Sequence, residues 1–395
     1  MTILRKEKFD LPEGIIYLDG NSLGAMPKGA VERARDVIAS EWGVSLIRAW
    51  NSSDWMALPV KVGDRIGGLL GAPKGSVMTG DTLSIKVYQA LAAALRMRPS
   101  RRVILTDSGN FPSDMYMAQG LIRTLDRDYE LRVVDPEDVE AAITDDVAAV
   151  MLTQVDYRTG RIHDIPSLTA AAQARDCVMI WDLAHSAGAL PVDLTASNAE
   201  FAVGCTYKYL NGGPGSPAFA YVRPDLITEI EPALAGWMGH DAPFAMEPDY
   251  RPAMSIERLR VGTPPIVQLA ILDSALDVWE GVDMHALREA SLRLSGLFIE
   301  EVERRCPQLR LASPRDGALR GSQVSFAFEH GYATVQALID RGVIGDFRAP
   351  DIMRFGFTPL YLDEADIIQA AENLEAVITQ QLWQNAKYQT RSRVT

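Results

Sequence analysis

A chain of 395 residues with 47% hydrophobic and 23% charged side chains is long enough for roughly two or three domains, which excludes a hormone, a disulfide knot and a wholly disordered chain. Asp plus Glu number 52 against 39 Lys plus Arg, a net charge of −13, and an acidic surface repels phosphate backbones, so nucleic acid is not an expected partner. Cys177, Cys205 and Cys306 form neither a paired framework nor a CxxC knuckle and read as reduced thiols of a cytosolic protein.

Met1 to Asp10 carries Arg5, Lys6, Glu7 and Lys8 with no apolar run behind them, so no secretory leader is expected. No apolar run approaches the ~18 residues of a membrane span, and a cytoplasmic protein with no membrane partner is expected. Residues 1–50 are strand-poor and are expected to pack on the smaller carboxyl-terminal domain or at an interface. Ser76–Thr79 reads as a short strand and Thr82–Arg96 as the helix after it. Arg102–Thr106 is a strand, Met115–Leu125 a helix, Leu131–Val134 and Val147–Gln154 strands, and Ile165–Arg175 a helix. Val178–Asp182 is a strand of the buried type, and Phe201–Thr206 is another. Such alternation predicts an α/β domain over 51–265, a mostly parallel sheet with helices on both faces. Beyond Pro265 the texture changes. Leu269–Trp279 and Met284–Cys306 read as long amphipathic helices, and Ser322–Phe328 and Ile352–Thr358 alternate like strands with one exposed face. Asp363 opens a closing helix that runs to Leu382. A smaller α+β domain over 266–395 is expected, with a polar, frayed tail from Asn385.

Several chemistries lack their motifs. No GxGxxG joins a strand to a helix, and Asn211-Gly212-Gly213-Pro214-Gly215 lacks the Lys-Ser/Thr ending of a P-loop. The five histidines, His163, His185, His240, His285 and His330, have no ligand spacing, so no metal site is expected. No GxSxG marks a serine nucleophile.

Four segments carry a positive signal. Lys208 ends the strand-like Cys205-Thr206-Tyr207 before a glycine turn; it reads as a solvated loop lysine or as an amine that bonds a carbonyl cofactor. Asp182 ends a strand in Trp181-Asp182-Leu183-Ala184-His185, where α/β folds place their sites. It reads as a loop cap or as the partner of a protonated pyridine nitrogen, and His185 as a core histidine or a ring contact. Gly80-Asp81-Thr82-Leu83-Ser84 turns a strand into a helix, by ordinary N-capping or to bind phosphate at the helix end. Phe111, in Asn110-Phe111-Pro112-Ser113-Asp114, packs in the core or covers an aromatic ring.

In this chain order the segments resemble the large domain of pyridoxal-phosphate enzymes of the aspartate-aminotransferase fold. Gly20-Asn21-Ser22-Leu23-Gly24, Phe111-Pro112-Ser113-Asp114, Cys205-Thr206-Tyr207-Lys208-Tyr209-Leu210-Asn211 and Gly236-Trp237-Met238-Gly239-His240 sharpen this to a resemblance to bacterial-type kynureninases. So do Thr263-Pro264-Pro265 and Met353-Arg354-Phe355-Gly356-Phe357-Thr358-Pro359-Leu360-Tyr361, and the similarity spans Ile15 to Leu382.

The resemblance implies a fold type I domain with a mainly parallel, seven-stranded sheet, a smaller α+β domain, and pyridoxal 5'-phosphate as cofactor. Lys208 would hold the cofactor and act as base, Asp182 and His185 would contact its ring, and Phe111 would stack on it. Leu83, Ser84 and Tyr207 would lie at the phosphate, with Tyr207 also open to a role as proton relay. Pro112, Ser113 and Asp114 would complete the pocket, and Trp237 and Thr263 would reach it from the partner subunit of a homodimer. Arg354 would clamp the substrate α-carboxylate, with Gly356 leaving room for ligand on that face; an internal salt bridge to Asp346 or Asp351 is the alternative. Trp50 and Asn21 would border the substrate. The implied reaction is hydrolytic cleavage of L-kynurenine to anthranilate and L-alanine, in tryptophan catabolism and NAD biosynthesis, with L-kynurenine preferred to its 3-hydroxy analogue. Alternatives are a cysteine desulfurase or aminotransferase of the same fold, or a scaffold without catalysis. No cysteine here sits on a loop suited to a desulfurase.

Overall fold

The structure, a computed structural model, describes residues 3–391. Seven strands form one sheet, in the spatial order Val77–Thr79, Phe219–Val222, Phe201–Gly204, Val178–Asp182, Val147–Thr153, Val103–Asp107, Glu130–Val134. The last five run parallel; Phe219–Val222 runs antiparallel to them, and Val77–Thr79, pairing antiparallel with it, closes that edge. The four strands between Phe219–Val222 and Glu130–Val134 are buried along their whole length. Helices explain that burial. Val87, Leu91 and Leu121 pack on one face, while Val62, Ile66, Leu168 and Ala172 pack on the other, so no strand position turns to water. Thr153 lies opposite Asp182 in the register, which brings the carboxyl ends of the central strands to one crevice.

The strand Phe219–Val222 and the helices Gly29–Asp36 and Leu58–Leu69 were not legible in the sequence. The strand is too short to show a period, and Pro59, Gly63 and Gly67 disguise the second helix. Gly63 is needed there, because a Cβ would stand 2.2 Å from the Val77 carbonyl oxygen.

A second, antiparallel sheet has the order Asp346–Arg348, Ile352–Gly356, Gln323–Ala327, Arg310–Leu311. The expected exposed face of its two main strands is absent: both are buried throughout. Phe326 and Phe355 face the long helix Met284–Arg305, where Phe298 meets them at 6.2 and 4.9 Å. The alternate polar residues face the large sheet's loops rather than water. Gln323 Nε2 donates to the Tyr157 carbonyl (3.0 Å) and Ser325 Oγ to that of Arg158 (2.5 Å). The closing helix Glu364–Thr379 starts with a reciprocal cap between Asp363 and Asp366.

The amino-terminal segment ties into this second sheet's surroundings, Ile16–Tyr17 pairing in parallel with Val343–Ile344. Lys387 Nζ and Tyr388 OH both bond Asp340, at 2.5 and 2.9 Å; residues 392–395 lie outside the described chain. No described helix is long and apolar enough to cross a membrane.

Candidate active site

A cavity of about 300 Å³ lies between the carboxyl ends of the central strands and the second sheet. Lys208 reaches it from the turn after Phe201–Gly204, and its Nζ stands 2.9 Å from His185 Nε2. Burial, and then the charge of Lys208, hold the His185 imidazole well below its usual value. The ring is therefore neutral and accepts from the lysine. Its Nδ1 is buried with no partner among the described residues.

Asp182 is 2% exposed, and its Oδ1 caps the Ala184 N–H at 2.8 Å. Burial raises its carboxyl to about 6, with Lys208 opposing. Asp114, 1% exposed, is pushed well above the carboxylate range by burial and by the charge of Asp182. One buried carboxyl of the two thus keeps its proton, and Asp182 is the one ionised at neutral pH.

Two helices begin at this cavity, Leu83–Met97 and Pro112–Leu125, and neither has a side-chain cap. The ordinary N-cap weighed from the sequence is not made by Thr82, the residue at that position; Asp81 turns instead to the buried Lys86 Nζ, 2.9 Å away. Ser84 Oγ and Ser113 Oγ meet at 3.0 Å between the two helix ends. Converging, uncapped helix ends suit a phosphate, and an unpartnered Asp114 oxygen and a lysine amine complete a chamber that fits pyridoxal phosphate. Phe111 lines it and meets the Tyr157 ring edge-on at 5.1 Å. Leu83, Tyr207, Asn21 and Arg354 line it too. Burial, followed by the Cys205 thiol, pushes the Tyr207 hydroxyl upward, so it stays protonated.

Sequence reasoning missed Ser22, Thr153, Tyr157 and Arg348, which share the wall. Thr153 was within reach as the end of a strand beside Asp182; the other three sit on loops or an edge strand and carried no spacing signal. Pro112 starts its helix but is not part of the wall, and neither are Trp50, Trp237 and Thr263. Trp50 packs edge-on against Trp55 at 5.6 Å, while Trp237 is 44% exposed. The room expected beside Gly356 is taken: a Cβ there would stand 2.2 Å from Asn21 Oδ1. Arg354 does make the salt bridge weighed as the alternative, its Nε lying 2.6 Å from Asp346 Oδ1.

The lysine turn is pinned from the amino terminus. Gly24 N donates to the Tyr207 carbonyl at 2.7 Å, and Asn211, at φ +60°, donates from Nδ2 to the Ala25 carbonyl at 3.0 Å. A Cβ on Gly24 would lie 2.2 Å from the Lys208 carbonyl oxygen. Gly24→Ala is therefore expected to cost about 1–3 kcal/mol and to lower cofactor affinity, read by thermal melting with and without added pyridoxal phosphate. An unchanged melt in both would show that the turn yields freely.

Solved structures share this architecture. The apo cysteine desulfurase of Thermococcus onnurineus NA1 superposes with a TM-score of 0.80, over 95% of this chain and 97% of that one, at 18% identity. A C-DES mutant with glycine covalently linked to its PLP cofactor gives 0.78, over 94% and 98%, also at 18%. The fold is that of the type I pyridoxal-phosphate enzymes. A DegT/DnrJ/EryC1/StrS aminotransferase family model matches residues 87–196, and a kynureninase C-terminal domain model matches 287–374. Kynureninase of Burkholderia pseudomallei (strain 1106a) is 51% identical, and that of Pseudomonas fluorescens 52%, each over 99% of this chain and 95% of its own. The chain belongs to the kynureninase family.

Proposed function

We propose that the protein hydrolyses L-kynurenine: water adds across the Cβ–Cγ bond, the hydroxyl going to Cγ and a hydrogen to Cβ, to release anthranilate and L-alanine. It is a pyridoxal-phosphate-dependent hydrolase acting on a carbon–carbon bond. The observation that carries the reading is the Lys208 amine held 2.9 Å from the His185 imidazole in a chamber that two buried carboxyls, Asp182 and Asp114, also border. Incubation with L-kynurenine and pyridoxal phosphate should produce anthranilate fluorescence; its absence from a yellow, cofactor-loaded protein would defeat the reading.

Lys208 would hold the cofactor, the helix ends at Leu83 and Pro112 with Ser84 and Ser113 its phosphate, Phe111 and His185 its ring faces, and Asp182 its pyridine nitrogen. When bound, it supplies a sink for the electron pair left at the substrate α-carbon. Lys208 Nζ removes the α-proton, and His185, being neutral, orients that amine without competing for charge. The Lys208 charge and the Ala184 N–H favour the ionised form of Asp182 against its burial. The Tyr207 hydroxyl, kept protonated by burial, is a donor at the wall and can return a proton to Cβ or bond a phosphate oxygen. A desulfurase reading has no support in the thiols: Cys177, Cys205 and Cys306 are all buried, and none borders the cavity.

The same reading makes the working unit a cytoplasmic homodimer. Trp237, Phe244, Met246 and Met254 are exposed by 44 to 73% on one arm of the chain, and such an apolar surface calls for a partner. Thr263 is exposed beyond that arm. Mixing inactive Lys208→Ala with Trp237→Ala subunits should restore activity, up to about a quarter of normal per site if pairing is random. No recovery after proven subunit exchange would place each site within one chain.

A further inference from the structure

Lys86 stands one turn into the helix Leu83–Met97 and is fully buried. An ammonium has three N–H groups, and all three are engaged. Nζ donates to Asp81 Oδ2 (2.9 Å), to Gln89 Oε1 (3.0 Å) and to the Leu259 carbonyl (3.2 Å). Gln89 Nε2 donates to the same carbonyl at 3.0 Å, so the seat of the amine is itself fixed. Burial lowers the Lys86 amine from its usual value, and Asp81 opposes the shift. Stability gives no reason for a lysine here, because an interior ion pair is often replaced by apolar residues of similar volume without loss.

Asp81 supplies the reason. It lies one residue before Thr82, the cap position of that helix, in the left-handed region at φ +54°. Its turn is held through the backbone: Gly80 N donates to the Ala218 carbonyl at 2.9 Å, and Ala218 N to that of Asp81 at 3.1 Å. A carboxylate left free beside a helix start accepts from the N–H groups of the first turn. Those are the groups that a phosphate needs, and a carboxylate next to them would also repel it. Here that competition is removed. The helix start has no side-chain cap, its first turn holds no acid, and the Asp81 carboxylate is turned to Lys86.

We propose that Lys86 is a positioning residue for the cofactor phosphate: it draws the Asp81 carboxylate off the helix start and offsets its charge, leaving the N–H groups at Leu83 and Ser84 open to the phosphate. Neither Lys86 nor Asp81 borders the cavity, so the lysine acts through Asp81 and not by contact. The proposal rests on the reading that places the phosphate at this helix end, and not on which substrate bond is cleaved.

The test compares pyridoxal 5'-phosphate with pyridoxal, which lacks the phosphate, each titrated into the full chain stripped of cofactor and followed by visible absorption. Lys86→Met fills the same space without the charge. It should weaken pyridoxal 5'-phosphate by ~10- to 100-fold and leave pyridoxal within about twofold. Adding Asp81→Asn removes the freed carboxylate and should restore most of the lost affinity, a coupling that the double-mutant cycle reads directly. Equal weakening of the two ligands, or no recovery in the double variant, would overturn the proposal, since a lysine that merely holds the helix in place would give both. Unchanged affinity in Lys86→Met would overturn it as well. If Lys86→Met does not fold, Lys86→Gln, which keeps N–H donors and loses the charge, is read by the same criterion. Ser84→Asp fixes a carboxylate at the helix start and controls for the place of the phosphate: it should weaken pyridoxal 5'-phosphate selectively. If it does not, the reading of the phosphate site fails, and the proposal with it; if it does while Lys86→Met does not, only the role of Lys86 fails.

Discussion

Lys208→Ala should fold normally and lose kynurenine turnover by at least ~10³-fold. The fold is expected to survive because the lysine makes no salt bridge among the described residues, and its one side-chain hydrogen bond goes to neutral His185. The buried Asp182 loses the positive charge that draws its carboxyl down, and it takes up a proton rather than stand as an uncompensated charge. The turn that carries it is held through backbone atoms, by Gly24 N on the Tyr207 carbonyl and by Asn211 Nδ2 on the Ala25 carbonyl, and these contacts remain. Borohydride should fix pyridoxal phosphate to the unaltered chain and not to the variant, as read by intact mass. A fixed adduct on Lys208→Ala would put the covalent link elsewhere; Lys86 Nζ, fully buried beside Asp81, would be the residue to examine.

The second large effect concerns the two carboxyls. Asp182→Asn should lower kcat by about 10²–10³-fold, the scale seen when one preorganised electrostatic contact is removed. Asp114→Asn should cost no more than about tenfold, since the protonated acid and the amide are both neutral and similar in shape. The asymmetry follows from burial acting on a pair: Asp114 is pushed well above the usual range, while Asp182 stops near 6 with Lys208 drawing it down. Steady-state rates for both variants, with visible spectra to confirm cofactor loading, decide the point. Equal losses, or a larger loss at Asp114, would reverse the assignment of the shared proton.

The parts of this architecture that alternate or run apolar were legible in advance. Val178–Asp182 appears with the bounds read from sequence, because a strand shielded on both faces is apolar from end to end. Lys208, Asp182 and the turn at Leu83 and Ser84, which border one cavity, could be picked out because each sits at a strand end, where the local sequence changes character. The second sheet misled for a physical reason. Gln323, Ser325 and Arg354 alternate with apolar neighbours as if facing solvent, yet they hydrogen-bond the carbonyls of the loop at 157–158 directly. Periodicity distinguishes polar from apolar surroundings and cannot tell water from a polar protein wall. Arg348 and Tyr157 escaped notice on similar grounds, since their roles arise only when distant segments meet. Trp50, Trp237 and Thr263 came from family likeness alone, and within one chain they stay outside the cavity wall.

The pairing of Ile16–Tyr17 with Val343–Ile344 joins positions separated by roughly 330 residues. During synthesis the strands from Val77 to Val222 can collapse into their sheet while the residues that complete the small sheet have yet to leave the ribosome. The amino-terminal segment, though made first, has no strand to join until nearly the end, and the contacts it brings to the lysine turn lack that anchor over the same interval. The chamber is thus among the last parts of the molecule to set. A chain cut short before Val343 would keep the lysine, both carboxyls and the two helix ends in its sequence, while lacking the strand that anchors the amino-terminal clamp and the arginines that face it.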